Sequence, residues 1–150
     1  MTQELLSQFQ SATAEFVIAA KALPTEKLVW VPAPGEWPAT YVIHHLADSD
    51  AHFLVRFLNV LSVDNPDIIP FDEEAFPTAL HYEDRNIATS LAAVEASAAQ
   101  LGEILRQVDD STWSRTGLHK ERGLVTLTQL LQLTINHRVE HTAHLKGLLA

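Results

Sequence analysis

The chain has 150 residues, of which 47% are hydrophobic, so it is long enough to bury a core and too apolar to be disordered. Its formal net charge of -9 makes phosphate backbones and anionic lipid surfaces unfavourable partners, so we expect no nucleic-acid partner and no membrane partner. Cysteine is absent, which excludes disulfides and thiolate metal ligands. Because we see neither an apolar run long enough to span a bilayer nor a secretory leader, we expect a cytoplasmic protein.

Apolar residues recur at spacings of three and four in several stretches, which is the pattern of amphipathic helices. The first stretch covers residues 3–22 and ends before Pro24. A connection rich in proline and tryptophan follows, with one short helical turn expected at PTEK. The second helix is predicted at about 40–62, with Thr40 as its N-cap.

The second half of the chain contains two further predicted helices. A long loop, DNPDIIPFDEEAFPTALHYED, precedes the third helix at about 87–108, and ordered loops of this length are often functional. A second loop, DDSTWSRTGLHKERG, precedes the last helix at about 124–148. No stretch shows the alternation of a strand. The sequence therefore predicts an all-α protein, with residues 1–150 forming a single domain that is a four-helix bundle.

Three histidines lie on one stripe of the last helix. The stripe steps by three and four residues through Leu127, Leu130, Thr134, His137, His141, His144 and Leu148. We therefore expect the three imidazoles to point toward the bundle interior, where each ring needs a hydrogen-bond partner or a metal ion. Arg138 and Glu140 flank the stripe and are expected to face solvent or a dimer partner.

Two imidazoles one helical turn apart can bind the same metal ion, but a site with one ion needs a third ligand from another helix. His45 is the best candidate because it lies at the flank of the apolar stripe of the second helix, whereas His44 points away from it. Spacing alone does not choose between the pair His137 and His141 and the pair His141 and His144. A hydrogen-bonded histidine cluster without metal is the other interpretation of this pattern.

Carboxylates near these histidines are candidates for proton transfer. Asp48 follows His45 by about one helical turn, so it is the candidate catalytic base, or an acceptor for the N–H of a ligand histidine. A solvated helix-surface carboxylate is the alternative interpretation of Asp48. The acidic run at 72–74 in the long loop could lie over the same pocket, although a solvated acidic loop is the simpler interpretation.

Three blocks of the sequence, in chain order, resemble the DinB superfamily and most closely its YfiT-like branch. The blocks are GEWPATYVIHHLADSD, DIIPFDEEAF and LHKERGLVTLTQLLQLTINHRVEHTAHL. The resemblance implies a four-helix bundle, usually dimeric, that holds one divalent metal ion on three histidines. Carried over residue by residue, these ligands are His45, His137 and His141, with His144 outside the set. The stretch TINHRVEH departs from the family pattern around the pocket, so the substrate does not carry over.

The resemblance also implies a function. We expect a metal-dependent enzyme that activates a thiol or water nucleophile, as a thiol S-transferase or a hydrolase. Zinc and nickel are the favoured ions, with iron, cobalt and manganese as alternatives. The expected partners are a small-molecule substrate, for which a low-molecular-weight thiol is a candidate, and a second copy of the chain in a homodimer. The competing hypothesis is a metal-stabilised helical dimer that acts as a binding protein without catalysis.

Overall fold

The computed structural model describes residues 2–149, and long helices account for most of that range. The helices are α1 (Thr2–Ala22), α2 (Thr25–Leu28), α3 (Ala39–Ser62), α4 (Phe76–Ala79), α5 (Ile87–Arg106) and α6 (Leu127–Leu149). Among the four long ones, α1 and α3 each pack against both α5 and α6. The predicted four-helix bundle is therefore confirmed, with α1 and α3 on one diagonal. Within residues 2–149, no helix has the length and hydropathy needed to cross a membrane.

Local sequence explains where the long helices begin. Asn86 caps α5, because its Oδ1 accepts the backbone N–H two residues further on at 2.8 Å. Thr126 and Gln129 form a capping box at the start of α6, with reciprocal bonds of 2.9 Å and 3.1 Å between side chain and backbone. Helix α3 begins directly after Pro38, which offers no side-chain cap. The prediction that Thr40 caps this helix is therefore wrong.

A small three-stranded sheet packs against the helices. Strand β1 (Asp67–Ile68) pairs in parallel with β2 (Thr116–His119), which pairs antiparallel with β3 (Gly123–Thr126). The expectation of a chain without strands is therefore wrong. It also follows that the last helix begins at Leu127, not near residue 124, because the preceding residues belong to β3. Strands of two to four residues are too short to show a recognisable alternation in the sequence.

Two glycines allow the hairpin of β2 and β3 to form where it does. Gly123 has a φ of +72°, in the left-handed region that glycine adopts without strain. A Cβ placed on Gly117 would lie 2.9 Å from Cγ1 of Ile68 and 3.0 Å from Cγ2 of Val60. A larger residue there would push β2 away from α3, so Gly117 sets the approach of the hairpin to the bundle.

A buried ion pair lies between two apolar clusters of the core. One cluster includes Phe9 of α1 and the other includes Phe16 of α1, and the buried polar residue Thr13 lies between them on the same helix. Arg138 of α6 and Asp50 of α3 are each 2% exposed, and Nη2 of the arginine donates to Oδ2 of the aspartate at 2.8 Å. Nε of Arg138 also donates to Oγ1 of Thr13 on α1, at 3.1 Å. This pair therefore connects three of the four long helices.

The inward face of α6 differs by one residue from the predicted stripe. Arg138 and Thr142 are buried, whereas His137, His141 and His144 are only half-buried on the flank of the helix. The expectation that Arg138 faces solvent or a dimer partner is therefore wrong.

Burial and the Arg138 guanidinium act in opposite directions on the Asp50 carboxyl. Burial raises the pKa of Asp50 to about 6, and the charge and hydrogen bond of Arg138 oppose that rise. The 2.8 Å contact with the guanidinium therefore favours the charged form of the carboxyl, while burial opposes it.

Replacing one member of this pair should destabilise the protein strongly. We expect Asp50→Leu to lower the free energy of unfolding by about 3–5 kcal/mol, because it leaves the Arg138 charge buried without a partner. The double variant Asp50→Leu/Arg138→Met should recover much of that loss, which urea denaturation at pH 7 would measure. Glu95→Ala, which removes the exposed pair of Glu95 with Lys21, is the matched control and should have a much smaller effect. Additive losses in the double variant would contradict this account.

Candidate metal centre

Three imidazoles from two helices meet at one point in the bundle. Nε2 of His45 on α3 lies 3.0 Å from Nε2 of His137 on α6, and Nε2 of His141 lies 3.1 Å from that same atom. The ring nitrogens that these residues offer as ligands all lie within 4.8 Å of one another. His45 is buried, while His137 and His141 keep partial exposure, so the group is not sealed from solvent.

The site keeps these imidazoles neutral. Burial lowers the pKa of His45 to about 4, and the neighbouring His141 adds to the effect. Burial also lowers the pKa of His137, with further contributions from His141, His45 and Arg138, and it lowers the pKa of His141. Neutral imidazole is the form of histidine that binds metal ions, so the protein holds the three rings in the state a metal site requires.

The hydrogen-bonding pattern of the rings fits a bound cation. Nε2 of His137 lies about 3 Å from the Nε2 atoms of both His45 and His141, where the lone pairs repel unless a cation or shared protons lie between them. In the part of the chain that the structure describes, the buried Nδ1 atoms of His137 and His141 have no hydrogen-bond partner. Nδ1 of His45 has Oγ of Ser49 at 3.4 Å. Three convergent neutral imidazoles are a donor set for a divalent ion of the zinc or nickel type.

The geometry distinguishes among the candidate histidines. His144 lies outside the convergent group, so the structure brings together the pair His137 and His141. His44 is 0% exposed, and its Nδ1 lies 2.8 Å from Oγ of Ser90 on α5. The expectation that His44 points away from the core is therefore wrong, because its side chain is buried against α5.

Asp48 lies near the histidines but is already engaged. Both of its oxygens accept hydrogen bonds from Arg85, at 2.6 Å and 3.0 Å, and Oδ2 also accepts the Tyr82 hydroxyl at 2.9 Å. Within residues 2–149, no hydrogen bond joins Asp48 to His45, His137 or His141. The catalytic role of Asp48 stays a prediction, and its contacts describe a carboxylate that fixes the segment after α4 onto α3.

The long loop brings a different carboxylate to the centre. Oε2 of Glu73 lies 3.7 Å from Nε2 of His45, and the Glu73 side chain is 52% exposed. Burial and the charges of Glu74, Glu140 and Asp72 raise the pKa of Glu73. The acidic run at 72–74 was a candidate from the sequence, but only the fold of the loop selects Glu73 from it.

A sequence model of the DinB superfamily matches residues 8–145. This chain belongs to the DinB superfamily. Among its relatives, a protein of Oceanobacillus iheyensis is 31% identical over 114 residues, and YfiT of Bacillus subtilis is 30% identical over 115 residues. Their names assign both provisionally as metal-dependent hydrolases. Each match covers 76% of this chain and 66% or 65% of the relative, so the chain spans just under two thirds of their length.

Solved structures agree with this assignment. The structure of Bacillus subtilis YfiT, described as a probable metal-dependent hydrolase with an unusual four-helix bundle topology, superposes with a TM-score of 0.90 at 26% identity. That match covers 98% of this chain and 85% of the other. A mycothiol-dependent maleylpyruvate isomerase superposes with a TM-score of 0.78 at 15% identity, covering 97% of this chain and 60% of that one, which shows a shared fold only. The DinB superfamily and the YfiT-like fold predicted from the sequence are thus confirmed.

Metal binding should depend on the three convergent histidines and not on their neighbour. We expect His45→Ala, His137→Ala and His141→Ala each to lose stoichiometric metal, because two imidazoles alone hold a divalent ion weakly. His144→Ala is the matched control on the same helix and should retain the metal. Elemental analysis of protein purified without a histidine tag measures this. A full equivalent of metal bound to the His45→Ala variant would rule out His45 as the third ligand.

Proposed function

We propose that this DinB-superfamily chain is a metal-dependent hydrolase of small molecules, with His45, His137 and His141 holding one divalent cation. The convergence of the three Nε2 atoms in a neutral, partly open group is the observation that carries this proposal. When bound, such a cation lowers the pKa of water or of a thiol, so that a strong nucleophile exists near neutral pH. The names of the relatives from Oceanobacillus iheyensis and Bacillus subtilis support the same reading.

Three protein ligands favour a catalytic site over a structural one. Structural zinc sites are usually closed by four protein ligands, whereas catalytic sites keep a position for water or substrate. In the described residues, no carboxylate joins the group of His45, His137 and His141, even though Glu73 comes to 3.7 Å from one of its atoms. This arrangement supports an enzyme over the alternative of a binding protein whose metal only stabilises a helical dimer.

Glu73 is our candidate for the proton acceptor. Its carboxylate lies beside the ligand nitrogen of His45, and half of the side chain is exposed, so a proton taken at the centre can pass on to bulk water. Asp48, the candidate base from the sequence, is less suited to this role, because three hydrogen bonds from Arg85 and Tyr82 occupy its oxygens. We therefore assign Asp48 a positioning role and keep it as the second candidate.

Removing the Glu73 carboxylate should slow catalysis while leaving metal content unchanged. We expect Glu73→Gln to lower kcat by about 100-fold or more, as for the loss of a general base, on the ester or amide that the wild type hydrolyses fastest. Asp48→Asn is the matched comparison and should mainly lower thermal stability, because it weakens the pair with Arg85. If Asp48→Asn lost the activity and Glu73→Gln kept it, the two roles would have to be exchanged.

A thiol in place of water is the second candidate nucleophile. Three neutral imidazoles leave the full double charge of a divalent ion uncompensated, which favours an anionic ligand, whether thiolate or hydroxide. We expect low-molecular-weight thiols added to the cobalt-substituted protein to produce a sulfur-to-cobalt charge-transfer band if the thiol reading is correct. No band, together with hydrolysis of esters or amides, favours the hydrolase. If neither a charge-transfer band nor hydrolysis is observed, the non-catalytic binding protein becomes the favoured assignment.

Several finer points stay predictions. We expect the ion to be zinc or nickel, ahead of iron, cobalt and manganese. Elemental analysis of the purified protein would identify it. The homodimer is expected from the family resemblance, and light scattering would measure it. The cytoplasmic location likewise stays an expectation from the sequence.

A further inference from the structure

A cavity of about 280 Å³ borders the metal centre at His137. Its wall is apolar where the helices and β3 contribute Phe53, Val125, Leu130 and Leu133. Its rim is charged, since Arg56, His119, Arg122 and Glu140 also line it. A volume near the lower end of ligand pockets, with an apolar wall and a few polar groups, suits a small organic molecule.

Arg56 is held in this cavity without a carboxylate partner. Its Nη2 donates to the carbonyl of Ile69 at 2.8 Å, and its guanidinium carbon lies 5.2 Å from the ring centre of Phe53 and 5.0 Å from that of Phe71. Among residues 2–149, no Asp or Glu comes within salt-bridge distance of it. Burial lowers the pKa of Arg56, and no nearby carboxylate offsets that cost. A half-buried guanidinium without a carboxylate partner is stabilised when an anionic ligand binds beside it.

The hairpin adds two further donors to the rim. Nδ1 of His119 accepts the backbone N–H of Glu121 at 3.2 Å, so the neutral ring carries its proton on Nε2, where it can donate to a ligand. Arg122 lies in the turn between β2 and β3, is exposed, and has no ion pair among the described residues. Its long side chain is therefore free to close on a bound anion.

The charges in the lining favour an anion, and the apolar wall favours one with a hydrocarbon part. Arg56 and Arg122 contribute two positive charges and Glu140 one negative charge, so the lining has a net charge of +1 while His119 is neutral. A net positive charge attracts an anion, and a carboxylate on a hydrocarbon chain can also contact the apolar wall, whereas inorganic phosphate has no apolar part to place there. The apolar wall beside the cations suits the hydrocarbon part of such an acid.

We propose that this cavity is a subsite for a carboxylate group of the substrate, bound by Arg56, His119 and Arg122. The proposal rests on the metal-dependent hydrolase function, because it adds a substrate class to that site. His137 belongs both to the cavity and to the three-histidine group, so a molecule anchored here by its carboxylate extends toward the metal centre. The substrates are then small carboxylic acids that carry an ester or amide bond a short distance from the acid group.

A binding measurement tests the subsite without any turnover. Butyrate is the probe, butyramide is its uncharged analogue, and inorganic phosphate tests the other anion, each titrated into metal-loaded, isotope-labelled protein and followed by NMR. We expect butyrate to shift the signals of His119 and Leu133 and to bind more tightly than the other two. Arg122→Gln should weaken butyrate by about tenfold, the value of one charge-assisted hydrogen bond. Arg106→Gln is the matched control, since Arg106 is exposed on α5 outside this cavity.

Two further variants separate this proposal from the metal centre. Glu140→Gln should strengthen butyrate binding, because it removes the negative charge in the lining. His45→Ala should lose the metal but still bind butyrate, so a failure of the metal assignment leaves the subsite result readable. Equal binding of butyrate and butyramide, tighter binding of phosphate, or equal losses in Arg122→Gln and Arg106→Gln would overturn the proposal. So would butyrate binding that is lost in His45→Ala and unchanged in Arg122→Gln, since the anion would then lie on the metal.

Discussion

The rotation of α6 about its own axis decides where its histidines point, and the buried pair of Arg138 and Asp50 fixes that rotation together with the apolar residues of the same face. Arg138 follows His137 directly, and one residue along a helix corresponds to a turn of about 100°. With Arg138 directed at Asp50 and Thr13, the imidazoles of His137 and His141 are turned to the flank that faces His45. A different partner for Arg138 would rotate both rings away from α3 together.

Burying this pair costs free energy, and the pair lies beside the three-histidine group, since Arg138 directly follows His137. A hydrophobic replacement of similar volume often leaves a core equally stable, so a buried ion pair is weak evidence for stability alone. Here the contacts of Arg138 hold α1, α3 and α6 in one relative orientation. The three-histidine group combines residues of α3 and α6, so it forms only when these two helices keep that orientation. The polar contacts among Arg138, Asp50 and Thr13 therefore help to place the three histidines.

The helices and the connecting segments have different parts in this architecture. Helices α3 and α6 supply His45, His137 and His141, whose positions are rigid because they rest on packed elements. The loop before α5 supplies Glu73, and the hairpin supplies His119 and Arg122. The three convergent histidines therefore lie on the packed helices, whereas Glu73, His119 and Arg122 lie on segments that connect them.

Much of the helical framework could be predicted from the sequence, and the reasons for the failures are physical. The four long helices follow from apolar spacing, and the choice of His45, His137 and His141 followed from spacing together with the family resemblance. The inward position of Arg138 was missed because a charged residue is normally placed in solvent, and its partner Asp50 is 88 residues away in the chain. The same limit applies to His44, whose partner Ser90 lies on another helix. Glu73 and the hairpin depend on loop packing, for which neither periodicity nor composition gives a signal.

The most direct test of the central claim is a crystal structure of the untagged protein with anomalous diffraction data collected at the absorption edge of its metal. We expect one anomalous peak about 2.0–2.1 Å from Nε2 of His45, His137 and His141. We also expect that no fourth protein atom binds the ion and that Glu73 lies on its open side. A peak at other residues, a fourth protein ligand that closes the coordination, or protein that carries no metal at all would contradict this claim.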